Sequence, residues 1–258
     1  MKLHRINALL IKYFYISKSV ERMADIFFWP LVDVFVWGFL SYYLSNIIGK
    51  EIAFTFLLGV CFRPFELRGV QDLPVFILED YWSRNLYNVF SSPLKISELL
   101  TTISIISLIR SLISFSFISF ITIWVYDFNP IKMNISILLI SVLILSVFGW
   151  SIGMMVSSLI IRYGQRIQFL VWSAFWILQP FSCTFYPLKT LPPWAQKIAQ
   201  YLPTTYVYEG FRSISPDISW GSITYAILAS FVCLTIGGYL FVRSFKYARK
   251  NALLARSD

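Results

Sequence analysis

Four charged residues, Arg63, Glu66, Arg68 and Asp72, fall within ten positions of a chain that is otherwise oily. Over 258 residues the chain is 57% hydrophobic, 19% aromatic and only 14% charged. A charged side chain at the centre of a bilayer costs roughly 2.5–3.5 kcal/mol on insertion scales, so such residues persist where they face a protein interior or a wet path. Arg63 and Glu66 are three apart and Arg68 and Asp72 four apart, so each pair can meet on one helical face. Two readings fit that spacing. The residues line a translocation path, or they neutralise each other near the cytoplasmic interface with Arg68 snorkelling to headgroups. Asp33 and Arg110 are lone charges in apolar segments, and an interhelical pair between them would neutralise both. These six residues are the candidate path.

Chemistry of other kinds finds little purchase. None of the 11 glycines begins a G-x-x-x-x-G-K-[ST] phosphate loop. No nucleophile and base stand in a recognisable pattern, so no catalytic residue is assigned. His4 is the single histidine. Cys61, Cys183 and Cys233 sit in apolar segments without CxxC spacing or a nearby histidine, which reads as small buried hydrophobes and no metal site. The energy for any transport must then come from a gradient or from another polypeptide.

The elements that must position the charges are membrane helices. Mean hydropathy is +0.68, too high for a soluble domain of this length. Residues 135–161 carry no charge and span about 40 Å as a helix, more than a ~30 Å hydrocarbon core. Residues 223–242 are also charge-free. Four further spans are expected at 26–48, 52–77, 99–126 and 167–185, the second being the charged one. The expected fold is an all-α membrane protein with six spans: residues 1–24 form an amphipathic interfacial helix and 25–258 the transmembrane domain. In the first segment Leu9, Tyr13, Ile16, Val20 and Met23 follow helical spacing, with Arg5, Lys12, Lys18 and Arg22 as its basic component.

The net charge of +9 follows the positive-inside rule better than it suggests nucleic acid. With both termini cytoplasmic, the inside receives 15 of the 22 Lys and Arg, a threefold excess over the outside. The outer segment 186–220 is rich in proline. Pro193 is placed to open a short helix carrying Trp194, Ile198, Tyr201 and Leu202 on one face, and Pro203 breaks it before it resumes toward Phe211. Gly149-x-x-x-Gly153, with Ser157 one turn on, is a small-residue stripe suited to close helix approach, within the subunit or across a dimer seam.

Three stretches resemble the type-2 ABC exporter permeases. ILEDYWSRNLYNVFSSPLKISELL (77–100) resembles the segment that ends in Ser-Pro-Leu and contacts the ATPase. IRYGQRIQFLVW (161–172) resembles the start of the fifth span. FYPLKTLPPWAQKIAQYLPTTYVYEGFR (185–212) resembles the outer hairpin, with its LP-x-W, LP-x-x-Y and E-G-x-R elements in order. The resemblance implies an exporter subunit that works by alternating access, as a homodimer or paired with a related permease, within the membrane lipids. Separate ATPase subunits would bind ATP and Mg, this chain holding no cofactor. It implies a coupling helix at about 79–97 with Glu79, Trp82, Arg84, Asn85, Leu86, Ser92, Pro93 and Leu94 toward the ATPase. It also implies an outer re-entrant hairpin at about 186–212 with Tyr186, Pro187, Pro192, Trp194, Pro203, Tyr206, Glu209 and Arg212. The implied location is a bacterial cytoplasmic (inner) membrane, and the cargo a drug-like amphiphile, a lipid or a lipid-linked glycan. Cys183-Thr184 departs from the smaller, Gly-rich residues many relatives carry there. The competing reading is a gradient-driven carrier or channel using Asp33, Glu66 or Asp72.

Overall fold

The computed structural model describes residues 3–48, 50–85, 94–132, 134–212 and 220–250, which are helical with no strand among them. Among the described residues nine α-helices follow one another: α1 Leu3–Ser17, α2 Val20–Ile48, α3 Lys50–Trp82, α4 Ile96–Tyr126, α5 Ile135–Tyr163, α6 Phe169–Leu178, α7 Pro193–Ala199, α8 Pro203–Arg212 and α9 Trp220–Lys250. Four described stretches are long and apolar enough to cross a membrane: Val20–Ser45, Ile96–Tyr126, Ile135–Ile167 and Gly221–Lys250.

The charged segment is the centre of the bundle. α3 runs unbroken for 33 residues through Pro64 and Pro74, and every side chain at 57–80 is buried or half-buried. Surrounded by helices, α3 needs no lipid-facing side, which is why its sequence tolerates charge. Two apolar cores lie along it. The lower one, toward the C-terminal end of α3, gathers Leu73, Phe76 and Leu78 of α3 with Leu9 and Tyr13 of α1, Ile103 and Ile106 of α4, and Ile160 of α5. The other gathers Phe62 and Phe65 of α3 with Phe115 and Ile118 of α4, Leu145 of α5, and Val207 and Tyr208 of α8. Glu66, Arg68 and Asp72 lie between Phe65 and Leu73, and Arg63 just before Phe65, so the α3 charges form a layer where the two cores meet.

Prolines and glycines set how closely the helices meet. Pro30 lacks the N–H that would bond the carbonyl four residues back, that of Ile26. Ser114 Oγ of α4 donates to that carbonyl at 3.1 Å, as a membrane interior demands. On the far side of α3, a Cβ on Gly149 would lie 2.6 Å from the Glu66 carbonyl oxygen, and one on Gly153 2.5 Å from that of Gly69. The glycine stripe thus packs α5 on α3 within the subunit. α9 closes on the other side of α5, where a Cβ on Gly237 would meet the Ser151 oxygen at 2.5 Å.

Two expected elements shorten. The amphipathic helix expected over 1–24 stops at Ser17; a turn at Lys18 and Ser19 intervenes, and Val20 opens α2. The stripe read along that segment is therefore split: Leu9 and Tyr13 face the core, while Val20 and Met23 are exposed on α2. The span expected at 167–185 shortens to the apolar helical stretch Phe169–Phe181. At ~1.5 Å per residue that stretch is about 20 Å long, short of the hydrocarbon core. Pro180 in its last turn and the left-handed backbone of Cys183 (φ 56°) end it.

Candidate functional site

The layer between the cores is held by pairs that join helices. Arg63 Nη1 donates to Asp33 Oδ2 of α2 at 2.9 Å, and its guanidinium lies over the Phe175 and Trp176 rings of α6, 5.1 and 4.6 Å from their centroids. Arg110 Nη1 of α4 donates to Asp72 Oδ1 at 2.7 Å. Arg68 Nη2 donates to the Asp25 carbonyl oxygen. Asp25, near the start of α2, is the hub: Arg22 Nη1 donates to its carboxylate at 3.2 Å, while Arg68 and Arg110 stand at 3.8 and 3.9 Å.

The same-helix pairing expected for Arg63 with Glu66, and for Arg68 with Asp72, is replaced by these contacts. So is the expected partnership of Asp33 with Arg110. The reason is geometric. Once α3 is buried on all sides, a long arginine reaches a carboxylate on a neighbouring helix as easily as one a turn away. Arg68 does not snorkel; it is 3% exposed. Glu66 Oε1, Asp72 Oδ2, Arg68 Nε and the Nε and Nη2 of Arg63 are buried without a hydrogen-bond partner. Asp25 escaped the sequence reading, which placed Arg22 only in the basic component of the interfacial helix, although the i,i+3 spacing of the two at the start of a span was a signal for the pair.

A shallow cleft opens beside the layer, with Asp25, Trp29 and Asp33 of α2 facing Arg63 and Arg68 of α3 and Ile118 of α4 along its wall. Charges from both α2 and α3 line this cleft.

Past the lower core, α3 ends in a Schellman motif. The Asn85 N–H donates to the Asp80 carbonyl and the Arg84 N–H to that of Tyr81, with Arg84 in the left-handed position (φ 53°) that glycine usually fills. α1 is pinned here. Lys12 Nζ meets Asp80 Oδ1 at 2.5 Å, Tyr13 OH donates to Asp80 Oδ2 at 3.3 Å, Arg22 Nε donates to Glu79 Oε1 at 2.7 Å, and Arg5 meets Glu98 at 3.8 Å. Burial, and then the Asp80 carboxylate, push the Tyr13 phenol far above its ordinary value, so it stays a donor. The basic residues of α1 thus face acids of α3 and α4, where the sequence suggested a free basic face. Of the other residues expected to meet the ATPase, Trp82 is exposed and Leu94 packs half-buried on the lower core. Leu86, Ser92 and Pro93 lie outside the described residues.

At the opposite end, α7 and α8 each begin with a proline, Pro193 after Pro192 and then Pro203. Ala195 and Ala199 face inward, while Trp194, Ile198 and Tyr201 face out. The E-G-x-R element acts as a clamp. Glu209 Oε1 accepts from the Leu188 N–H at 2.8 Å and from Arg212 Nη1 at 3.1 Å. Arg212 Nη2 donates to the Cys183 and Thr184 carbonyls at 2.6 and 2.9 Å. Tyr206 OH donates to the Gln200 carbonyl, and Tyr186 OH to that of Pro180. Pro187 precedes the short turn Leu188–Thr190.

Cys183 explains its own departure from the Gly-rich pattern: it occupies a left-handed position that glycine would hold without strain, and it is fully buried. Cys183→Gly is expected to change stability by less than about 1 kcal/mol, strain relief offsetting lost burial. Cys183→Val, β-branched at positive φ, is expected to cost more than that. Unfolding of the purified variants in mixed micelles checks the order.

A family model described as ABC-2 type transporter matches residues 27–215. The match runs from within α2 past α8 and takes in most of the charge layer and the clamp, with α1 outside it. No curated protein sequence matches the chain.

Proposed function

Because the chain belongs to the ABC-2 type transporter family, we propose that this multi-pass membrane permease is the membrane-spanning subunit of an exporter, driven by a separate ATPase chain. The observation that carries this is the continuity of α3. One helix holds the buried charges at its middle and ends at the turn leading into residues 86–93, within the stretch that resembles the ATPase-contacting segment. A movement imposed on that turn is a movement of the charge layer.

In this reading ATP and Mg bind the partner, whose closure pulls on residues 79–97, and the path at the centre of a dimer, of two copies or of this chain with a related permease, opens outward. The ATPase must grip that segment differently in its two nucleotide states, because a ligand shifts an equilibrium only through differential affinity. Both termini are cytoplasmic in a bacterial inner membrane, as the basic-residue excess favours. α3 is the second of six crossings. The short α6, together with α7 and α8 dipping into the outer leaflet, makes up the fifth. The cargo is an amphiphile, a lipid or a lipid-linked glycan.

Purified alone, the chain is expected to hydrolyse no ATP and, with its cognate ATPase, to form a stable complex. Arg84→Gly keeps the left-handed helix stop while removing the side chain, so it should fold normally yet lower ATP-coupled export several-fold. Pro93→Leu should do the same. ATP turnover by the chain alone, uptake by the chain alone down a gradient, or full export by both variants would overturn the reading.

A further inference from the structure

We infer that the cleft between α2, α3 and α4 binds the zwitterionic head of an amphiphile, a phosphate with an ammonium beside it, and that this head defines the cargo; the inference rests on the permease reading above. The cleft opens outward past Trp29 and Asp33, which are partly exposed, so a headgroup enters at its mouth while the tails stay outside. Its α2 wall carries Asp25, Trp29 and Asp33 at four-residue steps, hence on one helical face. Its α3 wall carries Arg63 and Arg68.

Two carboxylates facing two guanidiniums make the cleft formally neutral. A bare anion or cation would leave net charge in a low-dielectric site, a heavy cost; a zwitterion leaves none. Arg63 Nε and Nη2 and Arg68 Nε lack hydrogen-bond partners on side chains only 3% and 4% exposed, so both guanidiniums lining the cleft keep unspent donors for a phosphate. Guanidinium forks suit phosphate oxygens. The carboxylates are the more exposed groups, Asp25 at 20% and Asp33 at 29%. Trp29, more than half exposed, offers a ring face to an ammonium. Phe28, Val32 and Val36 run parallel to this stripe, one residue over, and are exposed along α2, a path for tails leading away from the head.

The test uses the full-length chain in detergent, without its ATPase, titrated calorimetrically with dihexanoyl phosphatidylethanolamine, dihexanoyl phosphatidylglycerol, a dihexanoyl trimethylammonium lipid and tail-free phosphoethanolamine. The zwitterionic lipid should bind at least tenfold more tightly than the other three. Trp29→Ala, on a half-exposed residue whose loss leaves the unfolding midpoint unchanged, should weaken that binding about tenfold, and Asp33→Asn likewise. Equal binding of the three lipids, or binding indifferent to Trp29→Ala, would mean the charges only lock α2 to α3 and would overturn the site. Phosphoethanolamine binding as tightly as the lipid would overturn the amphiphile assignment. Zwitterion binding without any ATP-coupled export by the full complex would instead sink the permease reading and leave the site standing.

Discussion

Asp72→Ala is expected to destabilise the chain by about 3–5 kcal/mol, the cost of leaving a buried charge without its partner. Asp72 and Arg110 each have side chains 3% exposed and meet at 2.7 Å. Asp25, 3.9 Å from Arg110, compensates only in part, which sets the result toward the lower end of that range. By contrast, Arg5→Ala removes a side chain that is 22% exposed and 3.8 Å from Glu98, and should cost under ~1 kcal/mol, since the buried Glu98 still accepts from the Lys95 N–H at 3.0 Å. The double variant Asp72→Leu/Arg110→Met should recover most of the lost stability, because apolar replacement of a buried ion pair is often neutral or better. Equilibrium unfolding in mixed micelles reads all three. Export by the double variant then separates two roles. A refolded chain that no longer exports assigns the layer a function in transport, whereas a refolded chain that exports normally makes it a structural device.

Gly153→Val is expected to be as damaging by a different route. Its new Cβ would sit 2.5 Å from the Gly69 carbonyl oxygen and 3.1 Å from that of Val70. Both obstacles are backbone of the most enclosed helix in the bundle, so no side chain can swing aside and the helices must part. The expected loss is about 3 kcal/mol, the top of the usual range for overpacking, with Gly69→Val similar, since its Cβ would meet the Gly149 backbone at 2.8 Å. Gly210→Ala is the control. Nothing lies within 4 Å of its added methyl, and alanine's better helix propensity should gain up to about 1 kcal/mol. The same unfolding measurement decides it, and a Gly153→Val chain as stable as the parent would show that α3 and α5 do not pack this closely. Because α3 is pressed against α5 by glycines and tied to α2 and α4 by arginines, separating α5 should also loosen the charge layer.

Much of this protein was legible along the chain. Charge-free runs such as 135–161 dictate membrane helices, since nothing else buries that much uninterrupted apolar surface. The prolines at 193 and 203 mark the starts of α7 and α8 because a proline suits a helix's first turn, where its missing N–H is not needed. The ABC-2 type transporter family was legible too, in three stretches whose order matched their resemblance. Partners were not legible. Spacing reports which residues share a face of one helix, and on that basis Arg63 belonged with Glu66 and Arg68 with Asp72. Only the packing of α2 and α4 around α3 decided that Arg63 meets Asp33, Arg68 meets Asp25 and Asp72 meets Arg110. The relative heights of neighbouring helices, which set those pairs, depend on where Gly69, Gly149 and Gly153 let the backbones touch. The stripe itself could be read in the sequence; what it pressed against existed only in the folded chain, because a close approach is a property of two surfaces and one sequence segment describes a single surface.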